Sequence, residues 1–347
     1  MFQEFIEQNR ARLRRLAVAA LVAAFALAVY GGLGAGYWSH QIVSGKQPFG
    51  QHNLVYTYLS MAGQFLSGMF FPAVFLWGVY CLVSLARDRT FPITWILQNA
   101  QKVICAYVGV RIIMLLLWAL YYRWPGWLEG ASRHEIIMAA LSPASNLLKG
   151  AKLVPWAILG VLWPRVVVLL QQWREGDADA GAWVEQNRQA LWRLANACGI
   201  VGIAMVIYAA LDGYACATRY LERAEGLYLY LNTAIRLAAH LFGAAILLGA
   251  YDLLTSACRG RRLSWLLQHG DTLIYLFSIV AILSNFEPVW RYYVEIRRNQ
   301  IIPGSIWWLP LMIGNQLIVS LPLVVWALFA PVLKSGVETM ERSRVSA

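Results

Sequence analysis

Eight separate runs of about twenty apolar residues punctuate this chain, and no other feature restricts its fold as strongly. They fall at approximately 16–37, 62–86, 103–122, 153–171, 191–212, 234–258, 272–290 and 308–333. A helix needs about 20 mainly apolar residues to cross a hydrocarbon core roughly 30 Å thick. No water inside that core can satisfy an open backbone, so each run is predicted to be a helix. The second and sixth runs extend backwards to about Leu54 and Leu227, giving long helices whose far ends carry tyrosines. The fold class is therefore all-α: a polytopic membrane protein with about eight transmembrane helices.

Composition agrees. Of 347 residues, 59% are hydrophobic and 14% charged, well below the roughly 25% charge of a soluble domain. The formal net charge of +11 does not point to nucleic acid. Lys and Arg stand in short groups between apolar runs, as topology signals do, rather than along one polar stripe. The five cysteines, Cys81, Cys105, Cys198, Cys216 and Cys258, make no CxxC and no metal-ligand spacing. In or beside apolar runs, Cys acts as a small hydrophobe.

Arg14-Arg15 before an apolar stretch resembles a cleavable export signal, but the sequence supplies its own rebuttal. Phe5-Ile-Glu-Gln-Asn-Arg-Ala-Arg-Leu-Arg-Arg-Leu-Ala17 reappears as Trp183-Val-Glu-Gln-Asn-Arg-Gln-Ala-Leu-Trp-Arg-Leu-Ala195. A removable signal has no reason to be copied in mid-chain, so a retained first span is expected. The copying continues: Tyr56-Thr-Tyr58 matches Tyr228-Leu-Tyr230, Gly78-Val-Tyr80 matches Gly249-Ala-Tyr251, and Trp95-Ile-Leu-Gln98 matches Trp265-Leu-Leu-Gln268. Such a repeat sets the architecture. A first four-span repeat is expected over 1–172, a polar linker over 173–182, a second repeat over 183–334 and a tail over 335–347. An even number of spans per unit makes the two repeats parallel.

Lys and Arg are more frequent on the side of the N-terminus (Arg10, Arg12, Arg14, Arg15, Arg87, Arg89, Arg259, Arg261 and Arg262 among them) than on the other. This bias predicts a multi-pass protein of a bacterial inner membrane with N- and C-termini cytoplasmic. On the outer side, the long loop from Trp124 to Lys152 contains 134–141, which suits a short surface helix. Trp124, Trp127, Trp307 and Trp308 fit interfacial anchors.

Ionisable residues inside a span cost several kcal/mol unless paired or hydrated, so each is a candidate site. Arg165 stands about two turns from the end of its span and can snorkel. Arg111 lies deeper and needs a carboxylate, carbonyl or water. On the sixth span Asn232, Arg236 and His240 recur every four residues, hence on one helical face. Their counterparts in the first copy are Ser60, Gln64 and Gly68. The face is polar in both copies and ionisable in the second. Asp212 and Glu287 are the counter-charges within reach of Arg236. The cavity- or ligand-facing candidates are thus Gln64, Arg111, Asp212, Asn232, Arg236, His240 and Glu287. A seam of interhelical hydrogen bonds would place the same residues there. Pro164 and Pro322 fall in the last span of each copy, each followed closely by Val-Val, and predict kinks.

No cofactor is predicted. A two-histidine haem needs two imidazoles at similar depth, and only His240 is well inside a span. His40, His52 and His134 belong to outer loops at no ligand spacing. No phosphate loop, HExxH, GxSxG or paired-carboxylate motif occurs, and the soluble segments are too short for a catalytic or ATPase domain. The expected role is non-catalytic: handling a small molecule, lipid or ion at the interface of the repeats, in transport or permeation. A structural or assembly subunit of a larger membrane complex is the alternative, and a lipid- or quinone-linked enzyme subunit the third. Membrane lipids are the expected partners, other membrane subunits belong to the second reading, and no nucleic acid is expected.

Overall fold

The computed structural model describes residues 2–44, 54–121, 147–176, 179–223, 227–259, 264–290, 292–293 and 308–345. The surface helix expected at 134–141 lies outside them, as do His52, His134, Trp124, Trp127 and Trp307. All regular structure among the described residues is helical, and eight helices are long and apolar enough to cross a membrane. We label them α1 to α8: α1 Phe2–Val43, α2 Leu54–Arg87 in three joined parts, α3 Ala100–Tyr121, α4 Leu153–Glu175, α5 Arg188–Arg223, α6 Leu227–Arg259, α7 Gly270–Asn285 and α8 Trp308–Val345. The spans containing α4 and α7 reach back to Leu147 and on to Trp290 respectively. The long second and sixth helices begin at Leu54 and Leu227, where the sequence puts them.

Helix α2 is not uniform. It runs as an α-helix over Leu54–Phe65, widens to a π-turn over Leu66–Phe70 and resumes over Phe71–Arg87. The cause is Pro72. It has no N–H to give to the carbonyl of Gly68, and its ring crowds that carbonyl. The backbone yields by one residue, so that Phe71 N–H donates to Leu66 O, five residues back. In α6 the same depth holds Ala244 rather than proline, and the helix is unbroken.

Two short helices, Trp95–Gln98 and Trp265–Gln268, are built alike. Each follows a residue in extended conformation (Thr94 and Ser264), buries its leucine (Leu97 and Leu267) and exposes its tryptophan. Asn99 Nδ2 donates to Trp95 O at 3.0 Å, and His269 Nδ1 lies 3.0 Å from Trp265 O. Leu97 anchors a cluster with Cys81 and Leu85 of α2 and Trp163 and Leu170 of α4. Leu267 does so with Leu253 of α6 and Leu333 and Val337 of α8.

Each long helix packs on the next in sequence, and α8 returns to pack on α1, so the eight form a closed ring. The closure is apolar through Leu16, Ala20, Ala24 and Leu27 of α1 against Ala73 and Leu76 of α2 and Val325 of α8. At the face where the chain begins it is also polar. Asn9, almost wholly buried, donates from Nδ2 to Ser335 Oγ at 2.7 Å and to Phe5 O at 3.0 Å. Arg12 Nη1 donates to Asn9 Oδ1 and, at 3.5 Å, to Pro331 O. A second joint of this kind links α4 to α5. Arg165 Nη1 donates to Asn187 Oδ1 at 2.8 Å, Asn187 Nδ2 to Trp183 O, and Trp183 Nε1 to Arg165 O. Helix α4 is ended just before it by Gly176, whose φ of 97° is the left-handed geometry that accepts glycine cheaply.

The ring is one helix thick. In the most apolar stretch of α6, only 6% of residues are buried, though α5 and α7 flank it. Most residues of that stretch are half-buried rather than exposed, as expected of a helix covered on its two sides. Closure predicts a direct test. Cysteines at positions 9 and 335, in a background lacking the native cysteines, are expected to cross-link within one chain on mild oxidation. Cysteines at 9 and 165 are expected not to, because Arg165 belongs to the other joint.

Candidate functional site

The polar face of α6 lies along the α5–α6 seam. Glycines of α5 let the two helices approach closely: a Cβ at Gly202 would meet Leu248 at 3.0 Å, and one at Gly199 would meet Tyr251 at 3.1 Å. Closer to the far end of the seam, Arg236 Nη2 donates to Asp212 Oδ1 at 3.2 Å. Asp212 is 6% exposed in its side chain and Arg236 42%, so the carboxylate is sunk in the seam and the guanidinium covers it. His240, one turn along, meets the Tyr208 ring edge-on with centroids 5.3 Å apart.

A third helix reaches this seam. Leu148, at the start of the α4 span, is buried against Met205 of α5 and Ala244 of α6. Ala244 is one turn from His240, so the two share a face. On its other side the same segment touches α3: a Cβ at Gly150 would stand 3.8 Å from Leu115. Leu115 is one turn beyond Arg111. Residues 148–152 therefore sit between α3 and the α5–α6 seam, with Lys152 half-buried and Lys149 exposed. Arg111 acts electrostatically on both lysines, and Lys152, Asp212 and Arg236 all act on His240.

Of the residues singled out in the sequence, the structure thus gathers Asp212, Arg236 and His240, and leaves Arg111 on α3, on the other side of residues 148–152. Asn232 and Glu287 form a looser contact one turn away, Nδ2 to Oε1 at 3.5 Å, which joins α6 to the span of α7. Gln64 stands apart on α2, exposed, with its amide donating to Ser60 Oγ at 3.4 Å. Arg165 is held in the α4–α5 joint, beside a shallow recess lined by Val168, Trp183, Gln186 and Asn187.

Sequence reasoning missed Lys149 and Lys152, counting them as outer-loop charges. It also missed Asp252, whose Oδ2 is buried with no hydrogen-bond partner among the described residues.

Arg236 is paired with Asp212, and Lys152 lies near both Arg111 and His240. Among the described residues, Arg111 makes no hydrogen bond or ion pair, although it stands about 15 Å of helix from either end of α3. Among those residues, too, no three His, Cys, Asp or Glu side chains gather as a metal site would require. Set against known proteins, the chain matches no family model, no curated protein and no solved structure.

The ion pair generates a prediction. Asp212→Ala leaves the Arg236 guanidinium half-buried without its acceptor and is expected to lower stability by about 1–3 kcal/mol. The reversed pair, Asp212→Arg with Arg236→Asp, is expected to recover much of that loss. Thermal unfolding of the purified variants in one detergent checks both; a reversed pair no better than the single variants would remove the ion pair from the account.

Proposed function

We propose that the chain is two parallel four-span copies, α1–α4 and α5–α8, and that it handles a small molecule, lipid or ion where they meet. Both ends then lie on the cytoplasmic side of a bacterial inner membrane, the side to which the basic residues incline. Support for the duplication comes from local geometry as well as from matched residues. Asn9 and Asn187 occupy the same place in the copied Glu-Gln-Asn-Arg segment, and each bonds to the carbonyl four residues back. Asn9 ties α1 to the last helix of the second copy, and Asn187 ties α5 to the last helix of the first. The matching turn helices at Trp95 and Trp265 have the same sense.

One observation carries the functional reading: the charged junction is assembled from both copies. Lys149 and Lys152 come from the first, and Asp212, Arg236 and His240 from the second. In a ring, a helix approaches its second neighbour across the concave side. The contact of the α4 segment with α6 past α5 therefore turns His240 and Arg236 toward the interior. The corresponding place in the first copy has Gly34, Gln64 and Gly68 where the second has Asp212, Arg236 and His240. Two like units are unlike at one junction, and because ionisable groups in hydrocarbon cost several kcal/mol unless paired or hydrated, the residues that differ are candidates for a site.

A second reading has its own support. Asp212 to Arg236 and Asn285 Nδ2 to Ser320 Oγ, at 3.1 Å, are interhelical bonds that would simply lock a subunit of a larger complex. Purification in native-lipid particles separates the two. The functional reading expects a bound non-protein mass in the intact complex, lost in Arg236→Ala and His240→Ala at unchanged protein yield. Loss of the protein itself, or stable company of other subunits with no bound mass, would support the locking role instead.

A further inference from the structure

We infer that Arg111 is the latch of α2: its guanidinium crosses from α3 to the π-turn and donates to the backbone carbonyls that the turn releases. Phe71 N–H, which a regular helix would give to Ser67 O, goes instead to Leu66 O, and Pro72 has no N–H for Gly68 O. Two successive carbonyls thus lose their helical donors well inside the span Tyr58–Arg87. Hydrocarbon supplies no water to replace them, and such a break persists where a neighbouring helix brings a partner.

The packing of α3 on α2 puts Arg111 at that level. A Cβ at Gly63 would collide with Met114, and the Phe71 and Tyr107 rings meet with centroids 5.6 Å apart. The two helices are therefore antiparallel and in contact on either side of the turn, and they touch at the turn itself. Arg111 stands one turn from Tyr107 and just before Met114, hence opposite 66–70 and on the same face of α3. On its other side α2 meets Gly31 of α1 through Phe65 and Met69, a contact without a side-chain donor. Arginines inside spans pair with backbone carbonyls, and the planar guanidinium fork can serve two at once.

The origin of the turn follows from the proposed duplication, and this step rests on that reading. Between Tyr58 and Gly78 lie 19 residues, and between Tyr230 and Gly249 lie 18. Before the turn, a Cβ at Gly31 of α1 would meet Phe65, much as one at Gly213 of α5 would meet Leu237. After it, Leu76 packs on α1, and Leu247 joins the cluster around Met205 of α5. The π-turn absorbs the extra residue, so both ends of α2 keep the facing of α6 and the cost falls on two carbonyls. Arg111 is then a positioning residue of α2.

The full chain in lipid bilayers, isotope-labelled at glycine carbonyl carbon and methionine nitrogen, supplies the test. Gly-Met occurs once in the sequence, at Gly68-Met69, so solid-state magnetic resonance isolates the Gly68 carbonyl. Arg111→Leu is expected to move that signal upfield, as loss of a charged donor does, while Tyr30→Phe leaves it in place. Stability gives a second reading. In the native chain Arg111→Leu is expected to lower Tm by several degrees. With Phe70 deleted and Pro72→Ala, which together make α2 regular, the same substitution is expected to raise Tm, because the arginine then has no acceptor. A residue that only packs, or that binds a ligand, would not reverse sign in this way. The cross-link between positions 9 and 335 reports that each variant still closes its ring; where the shortened helix fails to close it, the carbonyl signal decides alone. A Gly68 signal indifferent to Arg111→Leu, as when Glu129 or Glu135 of the stretch 122–146 holds the arginine, overturns the inference. So does a loss of Tm of equal size in both backgrounds. Either failure leaves the bound mass lost in Arg236→Ala, and with it the junction reading, untouched.

Discussion

A helix in hydrocarbon satisfies its own backbone, so hydrogen bonding along the chain fixes each span but says nothing about which span lies beside which. Side chains alone decide that, and apolar ones decide it weakly, since lipid is as good a neighbour as leucine. The arrangement therefore hangs on a few contacts that lipid cannot replace. Asn9 is the clearest: a nearly buried amide that meets Ser335, the Phe5 carbonyl and Arg12 at once. Lipid tails could satisfy none of these, so the first helix is held to the last and a row of helices becomes a ring.

The joint of Arg165, Asn187 and Trp183 does the same between α4 and α5. Both joints lie at the face where the chain begins, as do the clusters around Leu97 and Leu267. That face is bound together by specific polar and aromatic contacts. Away from it, the ring is joined by glycine-mediated packing and by the charged junction. The chemistry of the molecule is thus separated along the helix axes, with these joints at one end and the Arg236–Asp212 pair towards the other.

Much of this was legible in the sequence because it is local. Span number, helix type and the backward extension of α2 and α6 follow from runs of apolar residues, which a single pass along the chain reveals. The pairing of Arg236 could be narrowed to Asp212 or Glu287 but no further, because the choice depends on the rotation of α5 against α6; the structure gives Asp212 to Arg236 and Glu287 to Asn232. The π-turn was in principle readable from Pro72, whose missing N–H strands the Gly68 carbonyl, but only once Pro72 was known to stand mid-helix. Lys149 and Lys152 were beyond reach. Their meaning comes from Leu148 and Gly150 docking on three other helices, and no spacing within the chain records that.

The account turns on the claim that both halves of the chain contribute to one charged junction that holds a ligand. An experimental density map of the protein in native-lipid particles tests that claim most directly. It is expected to show non-protein density within contact distance of Lys152 and Arg236 together. A junction closed by protein side chains alone, with Lys152 directed away from Arg236, would contradict it.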